Sequence, residues 1–242
     1  MKVKFITATA IACMMASTSG CAQAGQSSDM KRADVEQIVK EYLLENPEIL
    51  REALVALDKK EDRASIAAVS DALFKDSRDV SIGPKNAKVT IVEFFDYNCG
   101  FCKSSSDWLK NVMEKHPNDV RVVFKELPIL DGRTKTSRNA AKAALAAHRQ
   151  DKYSTMHFAL MTERSLTEER VFKIAEEAGL DLNKLKADMK DPEIDQILAD
   201  GLLLANKIPS LTGTPFFVIN DDFIAGADPN ALNAMLESAL KG

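Results

Sequence analysis

The chain has 242 residues, 45% of them hydrophobic, with a formal charge of −4 and four cysteines. That is enough apolar material for a full core in one large domain or two small ones, so no disulfide stapling is needed. The acidic balance disfavours nucleic acid as a partner, and beyond the N-terminal leader no apolar run is long enough to span a bilayer.

Met1-Lys2-Val3-Lys4 is basic, Phe5 to Ala16 is apolar but too short for an anchor, and Ala22-Gln23-Ala24 offers a small-x-small cleavage site. Residues 1–24 therefore read as a secretory signal peptide. Thr18-Ser19-Gly20-Cys21 partly resembles a lipoprotein processing site, with Thr18 where such sites carry a Leu-like residue. The expectation is a soluble product starting near Gly25, and a form lipid-anchored through Cys21 is the alternative. Loss of Lys2 and Lys4 leaves 30 of the 32 basic residues against 36 acidic ones. Cys13 leaves with the leader and Cys21 is either removed or lipid-modified, so Cys99 and Cys102 are the free thiols of the mature chain. In an oxidising compartment structural disulfides join distant cysteines to close long loops, whereas one adjacent pair reads as redox-active.

After the polar linker Gly25–Ser28, residues 25–75 read as an N-terminal helical segment. Val35, Ile38, Val39, Tyr42 and Leu43 share one helical face, and Asn46-Pro47 restarts the chain as N-cap and first helical residue. Ile49, Leu50, Ala53, Leu54 and Leu57 make the next apolar face. Helices this short are marginal alone and need a partner surface, in their own domain or on another subunit. In Asp58-Lys59-Lys60-Glu61-Asp62-Arg63 most pairs three and four apart carry like charge, which weakens a helix by about 0.2–0.5 kcal/mol each. The run is a candidate hinge or a solvated helical turn. Helical period resumes at Ile66, Val69, Leu73 and Phe74.

Val80 to Pro84 predicts a short edge strand and turn, and the β-branched and aromatic run Val89 to Phe95 a buried strand. Cys99-Gly100-Phe101-Cys102 follows at once, and Trp108, Leu109, Val112 and Met113 then recur as on one helix face. The cysteines thus open a helix, where unsatisfied N–H groups and the positive end of the macrodipole stabilise an anion. Cys99 is expected to be the attacking thiolate and Cys102, one turn on, its buried resolving partner. An isolated C-x-x-C is also compatible with a metal site or two core cysteines.

Val120 to Leu127 reads as a third strand. Ser137 to about Lys207 is helical, with Thr167, Asp181 and Asp191-Pro192 as helix starts and Gly179 as a stop. Phe216–Asn220 and Phe223–Gly226 form a hairpin about Asp221-Asp222, and Asp228-Pro229 opens the last helix. His116, His148 and His157 show no ligand spacing and read as structural or solvent-exposed, and Met156 and Met161 as core filler rather than copper ligands.

The stretch from Phe94 to Lys103 resembles the thioredoxin superfamily and, more closely, its DsbA-like branch of bacterial thiol–disulfide oxidoreductases. Gly213-Thr214-Pro215-Phe216-Phe217-Val218-Ile219 is similar to that family's cis-proline loop and following strand. The resemblance covers roughly Val80 to the end. It implies an α/β thioredoxin fold, residues 80–136 and 207–242, interrupted by a helical insertion at 137–206. It also implies substrate contacts at Gly100, Phe101, Thr214 and Pro215. Glu93 stands where the family places a buried acid beneath the disulfide, and Lys125 matches a basic partner, so both are candidate catalytic residues beside Cys99 and Cys102. From the residues alone Glu93 also fits an exposed edge position, and Lys125, with Glu126 beside it, fits solvent exposure. No cofactor beyond the Cys99–Cys102 disulfide and no metal is implied.

Glu36 to Leu50 resembles the N-terminal region of ScsC-like (suppressor of copper sensitivity) proteins, a DsbA-like group in which that region mediates self-association. The resemblance implies a periplasmic homo-oligomer, a trimer favoured, acting on unfolded or misoxidised exported proteins and recycled by a membrane thiol partner. Gly100-Phe101 brings no positive charge, and Thr214 resembles the choice of isomerase-type relatives, so a disulfide isomerase or reductase is expected. A DsbA-type oxidase is the alternative, and a copper-binding thiol protein is the alternative of another class.

Overall fold

A computed structural model describes residues 31–242. The leader, its cleavage site, Cys13, Cys21 and the Gly25–Ser28 linker lie outside the described residues. The chain divides into two compact units, one reaching Arg51 and one running from Glu52 to Gly242. Among the described residues no helix is long and apolar enough to cross a membrane.

The first unit holds α1 (Arg32–Glu45) and the opening turn of α2 (Glu48–Ala68). Pro47 cannot continue the first helix, and the chain turns there. The expectation that Asn46 caps the second helix is corrected: its Nδ2 turns back to donate to the Tyr42 carbonyl at 2.9 Å, closing α1. No residue of α1 is buried. Val35, Val39, Leu43, Leu44 and Leu50 line an apolar concavity, and Ile38 and Tyr42 are exposed.

In the second unit α2 runs unbroken through Asp58–Arg63, so that run is a solvated helical turn and not a break. The like-charge pairs cost only a few tenths of a kcal/mol each. Arg63 is drawn to Asp222 by bonds of 2.9 and 3.0 Å, and Ile66, one turn on, is buried, a gain of about 1.5–3 kcal/mol that outweighs them. The period expected to continue to Phe74 is interrupted at Val69, after which a short α3 (Ser70–Phe74) begins.

Five strands form one sheet: β1 (Val80–Ile82), β2 (Val89–Phe95), β3 (Val120–Glu126), β4 (Phe216–Ile219) and β5 (Asp222–Ala225), in the order β1-β3-β2-β4-β5. Only β2 and β3 are parallel, because the long α4 (Gly100–Lys115) carries the chain between them. Side chains alternate across a strand, so each central strand serves two cores. Ile91, Phe95, Val122, Phe124 and Phe217 pack with Leu109 and Val112 of α4 and Leu232 and Leu236 of α11 (Pro229–Lys241). Val92, Phe94, Val123, Leu127 and Phe216 pack on the other face with Ile66 and Leu73.

Between β3 and β4 come α5 (Asp131–Thr134), α6 (Ser137–His148), α7 (Tyr153–Thr162), α8 (Glu168–Glu177), α9 (Leu182–Asp188) and α10 (Pro192–Ala205). Thr167, Asp181 and Asp191 cap α8, α9 and α10 with their side-chain oxygens. The alanines of α6 are buried, which lets neighbouring helices approach closely, and Met156 and Met161 sit in the core.

Candidate active site

The β2–α4 turn delivers Cys99 to the N-cap of α4 and Cys102 to its first turn. Both are free thiols. Cys99 is 7% exposed and Cys102 0%, so of the two sulfur-bearing residues only Cys99 reaches solvent. Between them Gly100 has open space where a side chain would sit, and Phe101 is 70% exposed. The dipeptide is thus a small, uncharged, outward-facing surface.

Cys99 Sγ donates to the Thr214 carbonyl oxygen at 3.1 Å, and the Thr214–Pro215 peptide is cis. The thiol of Cys99 is held down at about 5. The hydrogen bond from Cys102 is the main cause; the Thr214 side chain and the backbone N–H groups of Cys102 and Phe101 add to it against the opposing effect of burial. Cys102 is pushed up, by burial first and then by its bond to Cys99 and the charge of Glu93. One sulfur is thereby a nucleophile near neutrality while the other keeps its proton.

Glu93 is buried on β2, and neither carboxylate oxygen has a hydrogen-bond partner among the described residues. Burial, with the charge of Cys99 second, pushes it up to about 8. Its expected alternative, an exposed edge position, does not hold, since β3 and β4 flank β2 on both sides.

Lys125 is a correction. It pairs with Phe94, one residue out of step with the Glu93–Phe124 pair, so its side chain leaves through the opposite face of the sheet. There its Nζ bonds Asp79 Oδ2 and, at 2.6 Å, the Ala72 carbonyl. It is neither solvent-exposed nor a partner of Glu93.

The residue on the Glu93 face is Glu126, which pairs with Phe95 and accepts hydrogen bonds from Tyr97 and Tyr153 at 3.0 and 2.9 Å. Tyr97 Oη also lies 3.0 Å from His157 Nδ1. His157 is buried, and burial holds its ring down at about 3. Sequence reasoning singled out none of the four as a group. The alternation Val120, Val122, Phe124, Glu126 along β3 is the signal that places Glu126 on that face.

The three residues before Cys99 are all tied down. Asp96 accepts from the backbone N–H of Asn98 and Leu130 and from Ser137 Oγ, at 2.7, 2.9 and 2.8 Å. Asn98 Nδ2 faces the hydroxyls of Thr134, Thr136 and Ser137 at 2.9–3.2 Å. Beyond the dithiol, Lys103 donates to the Glu163 carbonyl and ties α4 to the end of α7. Among the described residues no group of three or more His, Cys, Asp or Glu could hold a metal ion.

Residues 90–240 match the DSBA-like thioredoxin domain, and residues 32–64 match the copper resistance protein ScsC N-terminal domain. A thioredoxin-like oxidoreductase from Silicibacter pomeroyi DSS-3 is 38% identical with a TM-score of 0.64, covering 71% of this chain and 98% of that one. The catalytic domain of Proteus mirabilis ScsC is 30% identical with a TM-score of 0.66, covering 74% and 99%. A periplasmic thioredoxin-like protein from Salmonella enterica serovar Typhimurium is 31% identical with a TM-score of 0.64, covering 72% and 97%. Among curated relatives, the Na(+)/H(+) antiporter NhaA 3 of Salinispora tropica is 30% identical over 144 residues, 59% of this chain and 22% of that protein. The chain spans 22–25% of the length of the first such relatives, so the likeness is to a minor part of them. The α/β thioredoxin fold expected from the sequence is the fold these solved structures share with the chain.

Proposed function

This chain belongs to the DSBA-like thioredoxin family of thiol–disulfide oxidoreductases, and on that premise we propose that it is an exported protein-disulfide isomerase and reductase working through Cys99 and Cys102. The observation that carries the reading is the asymmetric dithiol: Cys99 at a helix N-cap, held down at about 5 beside the Thr214–Pro215 loop, with Cys102 sealed beneath it.

The Cys99 thiolate attacks one sulfur of a substrate disulfide, forming a mixed disulfide and releasing the other substrate sulfur as a thiolate. That thiolate can attack another substrate disulfide, and the sulfur freed there attacks the substrate sulfur of the mixed disulfide, which completes a new pairing and releases Cys99 as its thiolate. If it does not, Cys102 attacks Cys99 Sγ, the second substrate sulfur leaves, and two electrons pass to the substrate. Formation of the mixed disulfide removes the Cys99 charge, one of the two causes that keep Glu93 protonated. Glu93 then gives up its proton more readily and, as carboxylate, accepts the proton of Cys102.

Three features favour isomerisation over net oxidation. Gly100-Phe101 adds no cation to stabilise the reduced form, Thr214 precedes Pro215, and the N-terminal unit presents an unsatisfied apolar face suited to a homo-oligomer, a trimer by resemblance to ScsC-like proteins. The partners proposed are misoxidised exported proteins and a membrane thiol donor. Periplasmic placement follows from the leader and agrees with the description of the Salmonella relative. Refolding of a scrambled, fully oxidised substrate, together with the dithiol's reduction potential, tests the proposal. Rapid oxidation of reduced substrate without repair of scrambled substrate would establish the DsbA-type oxidase instead. The copper alternative has two soft ligands, Cys99 and Cys102, and predicts stoichiometric Cu(I) retention that the double Cys→Ser variant loses.

A further inference from the structure

We propose that Glu126 is a positioning residue for exchange at Cys99: as an uncharged carboxylic acid it holds the Tyr97 hydroxyl and, through Tyr97, the turn that carries the thiol. The inference rests on Cys99 being the attacking sulfur.

Glu126 ends β3 and its side chain points to the same sheet face as Glu93. A single oxygen, Oε1, receives both Tyr97 Oη at 3.0 Å and Tyr153 Oη at 2.9 Å, while Oε2 is buried without a partner among the described residues. Tyr97 has one hydroxyl proton and two neighbours. Donating it to Glu126 leaves Tyr97 Oη to accept from His157 Nδ1–H at 3.0 Å. Three donors then have acceptors, His157 to Tyr97, Tyr97 to Glu126 and Tyr153 to Glu126, and the proton of the neutral acid is left to Oε2, which faces no partner among the described residues.

The surroundings decide the charge. Facing Glu126 are Tyr97 and Asp96 from the turn, Tyr153 from α7 and Glu93 from β2, and His157 of α7 stands behind the Tyr97 hydroxyl. No cation stands among them, because Lys125 passes to the other face of the sheet and is bound to Asp79. An ionised carboxylate there would be buried beside two acids with no counter-charge, which a protein avoids by keeping the group neutral. Burial pushes Glu126 well up in the same sense, against the opposing pull of the Tyr153 and Tyr97 hydrogen bonds and with Asp96 and Glu93 adding to it.

The link to chemistry is the turn. Asp96 and Asn98 are tied to α6 and the segment before it, whereas Tyr97 is tied to β3 and α7. Releasing the Tyr97 hydroxyl frees the turn on one side, two residues from a sulfur whose reactivity depends on its placement against Thr214 and the α4 terminus.

The full chain and its Glu126→Leu, Glu126→Gln and Tyr97→Phe variants test this. Each is checked for folding by near-ultraviolet circular dichroism, then followed by Cys99 thiolate absorbance against pH and by exchange with a small aromatic disulfide. Glu126→Leu keeps the bulk but removes the acceptor; the Cys99 midpoint should rise and exchange should slow about tenfold, the scale of one lost buried hydrogen bond. Glu126→Gln keeps an oxygen for both hydroxyls without a charge, and should recover the midpoint and rate that Leu loses. Tyr97→Phe should match Glu126→Leu, and the two together should add little. A protonated-carboxyl infrared band at neutral pH that weakens in Glu126→Gln, and disappears only when Glu93→Gln is added, reports the neutral acid. A folded Glu126→Leu with the parent's midpoint, or a Gln variant as impaired as Leu, overturns the proposal. If Glu126→Leu does not fold, the Gln and Tyr97→Phe arms decide. A parent inert to small disulfides overturns the functional reading, and the Cys99 midpoint still decides the role of Glu126.

Discussion

Cys99 Sγ and the Thr214 carbonyl oxygen meet at 3.1 Å from positions 115 residues apart in the chain. The carbonyl accepts from the protonated thiol, and it is the Thr214 side chain that lowers the Cys99 pKa. Exchange by the parent should therefore rise with pH through about 5, as the thiolate forms, and level off above it. Thr214→Val keeps the carbonyl but loses the hydroxyl, so the rise should move to higher pH. A profile unmoved by that substitution removes the side chain from the account.

The bond from Cys102 is the largest cause lowering Cys99, and this separates two replacements. Cys102→Ser retains a hydroxyl donor and should trap mixed disulfides with a Cys99 midpoint close to the parent's; Cys102→Ala should trap them too but with a higher midpoint. Cys99→Ser should trap nothing. Non-reducing electrophoresis and thiolate absorbance read both outcomes, and equal trapping by Cys99→Ser would sink the assignment of Cys99 as the reactive thiol.

Glu93 has a folded value of about 8 against an ordinary 4.5. Between those limits the folded state binds a proton that the unfolded chain has released, so stability falls as pH rises through the window, by at most about 1.4 kcal/mol per unit. Glu93→Gln cannot ionise and should flatten that decline. It should also slow resolution by Cys102, since no proton acceptor remains beside it. Urea titrations at several pH values, paired with single-turnover kinetics, check both; parallel stability curves would return Glu93 to an inert place in the core.

Where local chemistry decides, the sequence alone is informative. Strand β2, the helix-opening cysteines and the caps at Thr167, Asp181 and Asp191 follow from residues a few positions apart, whereas the Thr214–Pro215 loop is legible through its resemblance to the DsbA-like family. The sheet order and Lys125 are different. Which face a strand residue takes depends on register: a one-residue offset sends Lys125 to Asp79 and brings Glu126 to the face that carries Glu93. The Tyr97–Glu126–Tyr153–His157 group joins a turn, β3 and α7, and no spacing within the chain announces it. The charge run at Asp58–Arg63 was ambiguous because its repulsions are small beside one tertiary ion pair and one buried isoleucine.

Lys125 and Asp79 are both almost wholly buried, and Asp79 is pushed up to about 6 by burial even with Lys125 pulling it down. Lys125→Met removes that pull and leaves a carboxyl that must stay protonated to remain folded. The cost should be about 3–5 kcal/mol where Asp79 would otherwise ionise. It should shrink as pH falls below about 6, because the neutral acid needs no partner. Asp79→Asn in the same background should recover part of the loss. Since Lys125 lies across the sheet from the dithiol, exchange per folded molecule should stay near the parent's; a tenfold drop would restore a catalytic part for it.

The N-terminal unit carries Val35, Ile38, Val39, Tyr42, Leu44 and Leu50 on its surface, and α1 buries none of its residues. Each large side chain fully removed from water contributes about 1.5–3 kcal/mol before ordering costs, so an apolar face of this extent favours association. The partner proposed is the same face of further copies, as the match to the ScsC N-terminal domain suggests. The full chain should sediment as a homo-oligomer, and deletion of residues 25–60 should yield a monomer. Ile38→Glu with Tyr42→Glu should do the same without shortening the chain. Both monomers should keep the low Cys99 midpoint and reduce small disulfides, because that chemistry belongs to the second unit. They should lose most repair of scrambled proteins, which needs several thiolates facing one held substrate. Light scattering and scrambled-substrate refolding on the same preparations decide the matter: a monomeric full chain refutes association, and monomers that repair as well as the parent separate association from isomerisation.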